Sequence, residues 1–483
     1  MSTQPRHATD PQSYVTAGEK LTMLEGFRAK RPSVAERLAA GKALREKVPR
    51  ASHAQFAPAA DRADPVAILE RQNVHRVQKL VPVRFARMLA SSFAFLRGSA
   101  AVMAADLAAT PVSGLNVYAC GDMHVANFGV YASAERSLVF SINDFDEIYP
   151  APWEWDLKRL AASAAVSARF SGGDKVQAAD AARRAVRSYR KRIRRFAEMG
   201  YLDVWYNRID DRAILDTLSP KIQRQAERLM NKAREKGHMQ VFGKLTEEVA
   251  GEHRIVEDVP LIVRETHLES GLPADEALDR MLRSYMESLS HDRRRLLSRY
   301  RIVDSARKVV GVGSVGTGCY VVLLLGIDGD DPLFLQVKEA QPSVLAPHVA
   351  TRLPFDNQGR RVVVGQRLTQ GSPDIFLGWG EVEGRHFYVR QLADMKGSVK
   401  FEQHDDGDFE SLEAYCSLCG WALALAHAKS GDAAAIAGYC GNSAELDDAI
   451  ARFALSYATQ TERDYEALAA AKRSGRIQVA ADK

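Results

Sequence analysis

Apolar residues recur at short helical intervals from Val66 to Leu107, where Ile68, Leu69, Val77, Leu80, Phe85, Met88, Leu89, Phe93 and Phe95 predict helices. Two short runs rich in β-branched and aromatic residues then read as strands: residues 115–120 (Leu115 to Cys120) and Leu138–Ile142. Leu157, Leu160, Ala161 and Ala164 fall on one helical face directly after Asp156, a good N-cap residue. A second helix is predicted over 175–199, and 201–300 reads as mostly charged and helical, including 222–236 and 274–297. Near Ile302 the texture turns to strand. Three consecutive antiparallel strands are expected, around 308–310, over 320–325 and over 333–337. Their turns fall at the glycines between Gly311 and Gly318 and at Asp328-Gly329-Asp330-Asp331. A helix over 360–369, strands over 375–379 and 386–392, and helices from about Phe409 complete the pattern; Leu412, Tyr415, Cys416, Cys419, Leu423 and His427 share one face.

At 483 residues the chain is longer than one core usually supports. Its texture divides it into a basic, loosely ordered arm (1–60), a helical lobe with the candidate loops (61–200), a helical insertion or cap (201–300), a β-rich lobe (301–400) and C-terminal helices packing on the large lobe (401–483). The fold class is α+β. Lys+Arg 66 against Asp+Glu 61 gives +5, too weak an excess to argue for a nucleic-acid partner. Five scattered cysteines make no disulfide framework, and neither a membrane span nor a signal peptide is visible. A reducing cytoplasm is therefore expected, and no membrane. The sequence assigns no oligomeric state.

Candidate chemistry concentrates between the two short strands, where Asp122, His124, Asn127, Asp144 and Asp146 cluster. Asp122 and Asn127 stand five apart, the spacing at which a kinase loop places a base and a metal-binding amide. Asp144-Phe145-Asp146 follows a strand, as a metal-binding Asp does there. Mg²⁺ keeps several waters, so one Asp, one Asn and phosphate oxygens suffice. Taken singly, each residue reads equally as a turn former; four in the right order between two strands do not. Gly311, Gly313 and Gly316 form a Gly-x-Gly-x-x-Gly run. The β-rich segment after it favours a hairpin laid over phosphates over a dinucleotide turn, which needs a following helix. Lys338 ends the next strand, where a kinase keeps the amine that neutralises phosphates. Gly121-Asp122-Met123-His124 also suits a metallophosphoesterase, but no second histidine element completes that set. Cys416 and Cys419 have no second pair and read as core, and Arg183 to Arg195 reads as a solvated helix face.

With these motifs the chain resembles the protein-kinase-like superfamily, in the branch of aminoglycoside phosphotransferases and choline kinases. Gly121-Asp122-Met123-His124-Val125-Ala126-Asn127 matches its Gly-Asp-x-His-x-x-Asn loop, and Ile142-Asn143-Asp144-Phe145 matches its Ile-Asp-Phe element with one extra residue. Asp156-Leu157 resembles the Asp-Leu whose carboxylate supports the catalytic loop's backbone. From about Gly41 the chain also resembles an uncharacterised bacterial family, domain of unknown function 2252, through Phe95-Leu96-Arg97-Gly98, Asn143-Asp144-Phe145-Asp146-Glu147, Trp155-Asp156-Leu157-Lys158-Arg159-Leu160 and Val337-Lys338-Glu339-Ala340.

Because the glycine run and Lys338 follow the catalytic loop, the resemblance implies a circularly permuted two-lobe kinase-like fold, with the helix around Trp421 to His427 beside that loop. It implies an ATP- and Mg²⁺-dependent phosphotransferase acting on a hydroxyl-bearing acceptor, a small molecule or a protein. Asp122 would be the base, His124 would shape its loop, and Asn127, Asp144 and Asp146 would bind metal. Gly311, Gly313, Ser314, Gly316, Gly318 and Lys338 would bind nucleotide phosphates. Where a kinase helix supplies a Glu to its Lys, this chain has Gln366, which would join the nucleotide site by hydrogen-bonding Lys338 but brings no charge. That substitution favours a nucleotide-binding regulatory module without turnover. Nucleotidyl (AMP) transfer is the other alternative on the same fold, and a basic nucleic-acid binder would rest only on Arg183 to Arg195.

Overall fold

The computed structural model describes residues 28–481, apart from 236, 269, 328–330, 393–396 and 398–407. It is a mixed α+β structure with several antiparallel sheets. Its largest sheet has six strands in the spatial order Gly378–Val382, Arg385–Gln391, Pro332–Glu339, Cys319–Leu325, Arg301–Lys308 and Ile262–Val263. Cys319–Leu325 is apolar throughout because both faces of the sheet are covered. Val322 and Leu324 pack toward Met281 and Tyr285 of the helix Ala274–Ser288, while Val321, Leu323 and Leu325 pack toward Ile255 and Phe242. The register sets Cys319 opposite Lys338 and Tyr320 opposite Arg307, so the glycine loop and Lys338 share one end of the sheet.

The larger core is helical. Trp153–Phe170, Lys175–Ala197, Phe409–Ser430, Ala433–Cys440 and Glu445–Arg473 pack together around it. Trp153 stacks on Tyr189 with ring centroids 5.6 Å apart. Phe409–Ser430 lies so close to Lys175–Ala197 that a Cβ on Gly420 would sit 2.1 Å from the Ala185 carbonyl oxygen. Two short ladders beside this core carry the candidate loops. Asn116–Ala119 pairs with Tyr149–Pro152, and Phe128–Ala132 pairs with Leu138–Ile142. The loops 120–127 and 143–148 leave the same ends of these ladders, and the Asn143 N–H donates to the Asn127 carbonyl at 2.8 Å.

Several expectations need correction. The helix after the strand Tyr149–Pro152 starts at Trp153 with Pro152 at its N-cap; Asp156 lies in its first turn and is freed for other work. The region 201–300 is not one helical cap. Its first part, including Pro220–Glu235, packs beside the Phe128–Ala132 hairpin. Its second part forms the hairpin Thr246–Val249 with Glu252–Ile255, adds Ile262–Val263 to the large sheet and lays Ala274–Ser288 on it. Its dense charge hides these short strands, whose apolar contacts are few. The strand expected over 375–379 runs instead over Gly378–Val382, because Asp374 turns the chain by accepting the Phe376 N–H at 2.9 Å. Of the N-terminal arm, 1–27 lie outside the described residues, as do 328–330 of the expected turn. From Ser33 the arm is ordered: a capping box with Glu36 starts the helix Val34–Ala43, which docks on Ala433–Cys440. No described helix is long and apolar enough to cross a membrane.

Candidate active site

Gly121 sits at φ +75°, a conformation glycine adopts without strain, and the tight turn it makes exposes the loop's backbone to support from behind. Asp156 supplies that support: its two carboxylate oxygens accept the Cys120 and Gly121 N–H groups at 2.6 and 2.9 Å. His427, from the C-terminal helix, brings Nε2 to 3.3 Å of Asp156, and its Nδ1 lies 2.8 Å from the Tyr189 hydroxyl. All three side chains are buried, so the loop rests on a water-excluded polar chain.

Asp122 projects from this loop. Its Oδ1 accepts Arg159 Nε at 2.9 Å and also Nη2, and the same guanidinium donates to the Leu96 carbonyl at 2.8 Å. Burial pushes the Asp122 carboxyl above its usual value, and Arg159 pulls against that. Asn127 donates its amide N–H to the Asp122 carbonyl at 2.6 Å, which leaves the amide oxygen as an acceptor. His124 lies with Nε2 3.7 Å from Asp122, too far for a good hydrogen bond. Burial, with Arg97 and Arg159 adding to it, holds its pKa well below the usual histidine range. It is a neutral ring packed edge-on to Phe93 and shapes the loop from within.

The second loop brings Asp144 and Asp146 to Lys338. Asp146 forms an ion pair with Lys338 Nζ and accepts the Tyr388 hydroxyl at 2.6 Å, so both its oxygens are occupied. Asp144 lies 3.8 Å from the same amine and accepts the Asp146 N–H at 3.2 Å. Burial opposes the charge of Lys338, which is only 2 % exposed, but Asp144 and Asp146 outweigh it and hold the amine well above its usual pKa. Arg361 ties the loop down by donating to the carbonyls of Asp146, Ile148 and Gln341 at 2.7–2.8 Å. Beside them, burial pushes the Glu147 carboxyl up to about 7, although the Val344 N–H donates to it.

The glycine loop closes over both. It joins Arg301–Lys308 to Cys319–Leu325 and curls into turns rather than extending as a hairpin, with Gly311 and Gly316 at φ +65° and +89°. Its carbonyls are held from the side: Val77 N–H donates to Gly316 at 2.8 Å, and Arg76 and Arg87 donate to Val315 and Gly311 at 2.5 Å. Among the described residues, nothing accepts from the N–H groups of Gly311, Val312, Gly313, Ser314 or Gly316. Gly311, Gly313 and Ser314 line the cleft above Asp122, Asn127 and Asp144. Gly316 turns toward Arg76, and Gly318 donates to Glu339 at 2.9 Å.

Two site assignments change. Gln366 does not reach Lys338: its amide donates to Gln370 at 2.8 Å, and the acidic partner of the lysine is Asp146. Each Asp146 oxygen already has one partner, Lys338 or Tyr388, so the residue positions the lysine. Among the described residues no group of three or more His, Cys, Asp or Glu is arranged to hold a metal. A cation here would rely on Asp144, the Asn127 oxygen and ligand oxygens, a set that suits Mg²⁺. The five cysteines are all buried and unpaired, Cys416 and Cys419 in the main core.

Pattern reading missed one wall of the cleft. Arg76, Arg84 and Arg97 come from the helical segment before the first strand and face Asp122 and Asp144 across the cleft. The available signal was an arginine recurring inside an otherwise apolar stretch, Arg84 before Phe85 and Arg97 after Leu96. On the basic helix, by contrast, four arginines are engaged by other elements. Arg183 meets Asp448 at 2.8 Å, Arg184 meets Glu413 at 2.9 Å, Arg190 grips Asp447 at 2.6 and 2.7 Å, and Arg192 lies 3.5 Å over the Trp421 ring.

Residues 76–471 match the sequence model of a family described as an uncharacterized protein conserved in bacteria, DUF2252. No curated protein and no solved structure matches the chain. The chain belongs to the DUF2252 family.

Proposed function

We propose that this member of the DUF2252 family is an ATP- and Mg²⁺-dependent phosphotransferase with a circularly permuted kinase-like fold, transferring a phosphoryl group to a hydroxyl-bearing acceptor. One observation carries the reading: Asp122, Asn127 and Asp144 line one cleft with Gly311, Gly313 and Ser314 of the glycine loop, and the buried Lys338 amine lies 3.8 Å from Asp144 behind it, although these residues are far apart in the chain. In this reading Asp122 orients the acceptor hydroxyl and takes its proton. A carboxylate whose pKa burial raises is a better base than a solvated one, and Arg159 fixes its direction. Asn127 and Asp144 would hold Mg²⁺, which when bound neutralises phosphate charge. Lys338 and the glycine-loop amides would hold the phosphates.

The Lys338–Asp146 pair bears on turnover. The argument for a module without catalysis rests on Gln366 in place of an acid, and Asp146 supplies that acid from another element. Such catalysis is positioning and charge stabilisation, so neutralising one of the cleft's charged groups removes the rate.

The test is thermal unfolding of the full chain with ATP and Mg²⁺, followed by label release from ATP. Ligand at a hundredfold over Kd should stabilise the native state by about 2.7 kcal/mol. The rise should need Mg²⁺ and vanish in Lys338→Met. Label on the γ-phosphate should move; movement of α-label instead would make the enzyme a nucleotidyl transferase. A wild-type protein that no nucleotide stabilises would overturn the proposal.

A further inference from the structure

The cleft wall built by the helical segment before the first strand holds three guanidinium groups that the phosphotransferase reading does not use. Arg76 is 9 % exposed and Arg84 1 %, while Arg97 is half-buried against Asp122 and His124. Among the described residues no carboxylate lies within ion-pair distance of any of them. The Nε of each is buried with no hydrogen-bond partner. Arg84 spends its other nitrogens on neutral groups, the Asn73 and Gln72 side chains and the Gly98 carbonyl, and Arg76 donates to the Val315 carbonyl. Arg97 makes no side-chain hydrogen bond at all among the described residues.

Several other buried or half-buried arginines meet a carboxylate or, as Arg361 does, spend all three nitrogens on oxygen acceptors, here the Gln358 side chain and the Ile148, Asp146 and Gln341 carbonyls. Arg159 meets Asp122, Arg190 meets Asp447, Arg62 meets Asp106 and Asp464, and Arg307 meets Glu265. Taking a cation out of water without a counter-charge is costly, and placing like charges together adds to the cost. Burial pulls the Arg76 guanidinium down to about 10, although Glu147, Asp146 and Glu339 act in the opposite sense, and it pulls Arg84 well below its usual value, with Arg76 adding to the effect. An anion in the cleft would remove that cost, and the open amides of Gly313 and Ser314 lie on the same cleft.

We infer that Arg76 and Arg97, backed by the charge of Arg84, form a phosphate-binding subsite in the cleft. It is separate from the Lys338 end and holds either the terminal phosphate of the nucleotide or a phosphate already carried by the acceptor. Arginine suits this task because its planar fork meets phosphate oxygens two at a time. The inference deepens the phosphotransferase reading and rests on it for the two named sources, but the subsite itself stands on the arginines alone.

The test uses the full chain with chelator present, so that neither metal nor nucleotide is needed. Inorganic phosphate and pyrophosphate are titrated against wild type, Arg97→Gln and Arg76→Gln while the unfolding midpoint is followed. Wild type should be stabilised by pyrophosphate. Each variant should bind it about tenfold or more weakly, as expected for losing a hydrogen bond to a charged group. Arg97→Gln, which breaks no observed bond, should keep the wild-type midpoint without ligand and so report binding rather than folding. ATP and ADP, titrated with Mg²⁺ in place of the chelator, then separate the sources. If Arg97→Gln weakens ATP but not ADP, the subsite takes the nucleotide's terminal phosphate; if it weakens neither but loses pyrophosphate, the phosphate belongs to the acceptor. Arginine-dependent pyrophosphate binding without any ATP binding would leave the subsite standing and remove the kinase reading. No stabilisation of wild type by either anion, or stabilisation that survives in both variants, would overturn the subsite.

Discussion

On the helix Lys175–Ala197, arginine meets carboxylate: Arg183, Arg184 and Arg190 each reach an acid on the C-terminal helices, and Arg192 covers an indole ring. On the cleft wall, Arg76, Arg84 and Arg97 meet carbonyls, amides or nothing. The first set is dense in sequence and paired; the second is dispersed and, among the described residues, within ion-pair distance of no carboxylate. Charge density along a chain therefore says little about where an anion binds. What decides it is whether the fold brings an acid to each cation.

The sharpest way to break the comparison is to make the packed set look like the unpaired one. Arg190→Met leaves Asp447 buried without its partner, and losing one member of a buried pair costs about 3–5 kcal/mol. Chemical denaturation should show that loss, with pyrophosphate affinity measured on the folded fraction unchanged. An unchanged denaturation midpoint would mean that the pair is not structural.

Next in size is the metal-side carboxylate. Asp144→Asn should lower label transfer from ATP by about a hundredfold or more, in the range seen when one charge-stabilising group is lost. The unfolding midpoint without ligand should stay close to wild type, because Asp144 is partly exposed and Lys338 keeps its pair with Asp146. Normal transfer by this variant would remove Asp144 from the mechanism. The same variant sharpens the comparison: pyrophosphate binding at the arginine wall should persist when the metal-side carboxylate is gone.

Much of this architecture was legible in the sequence, and the rest failed for a common reason. The strands Leu138–Ile142 and Cys319–Leu325, the helix Gln358–Thr369 and the order of Asp122, Asn127 and Asp144 all follow from local pattern. Periodicity and turn chemistry act over a few residues and need no partner. What could not be read is who meets whom. Asp146 beside Asp144 reads as a second ligand, and its ion pair with Lys338, 192 positions away, is invisible in the sequence. Gln366 sits on the expected helix yet turns to Gln370. Asp156 looks like a cap, but the helix starts three residues earlier and its carboxylate goes to the Cys120 and Gly121 amides. Arg84 and Arg97 interrupt an apolar stretch, which marks them as unusual, but only the fold shows that no carboxylate among the described residues pairs with them.

A third kind of buried nitrogen base, one kept neutral by the fold, gives the smallest and most graded test. His53 is fully buried where the N-terminal segment docks; its Nε2 lies 2.6 Å from the Tyr439 hydroxyl, and burial, with nearby Lys158, lowers its pKa to about 3. The unfolded chain protonates near the ordinary value of 6.5, so between about 6.5 and 3 it binds more protons than the native state. Stability should therefore fall steadily as pH drops through that window and gain nothing from His53 above it. The unfolding midpoint of wild type should slope downward below about pH 6.5, and His53→Gln, which cannot titrate, should show a shallower slope whatever its absolute stability. Equal slopes would mean that His53 takes a proton in place, and that this fold accommodates an unpaired buried cation at the N-terminal docking site as readily as it does along the cleft wall.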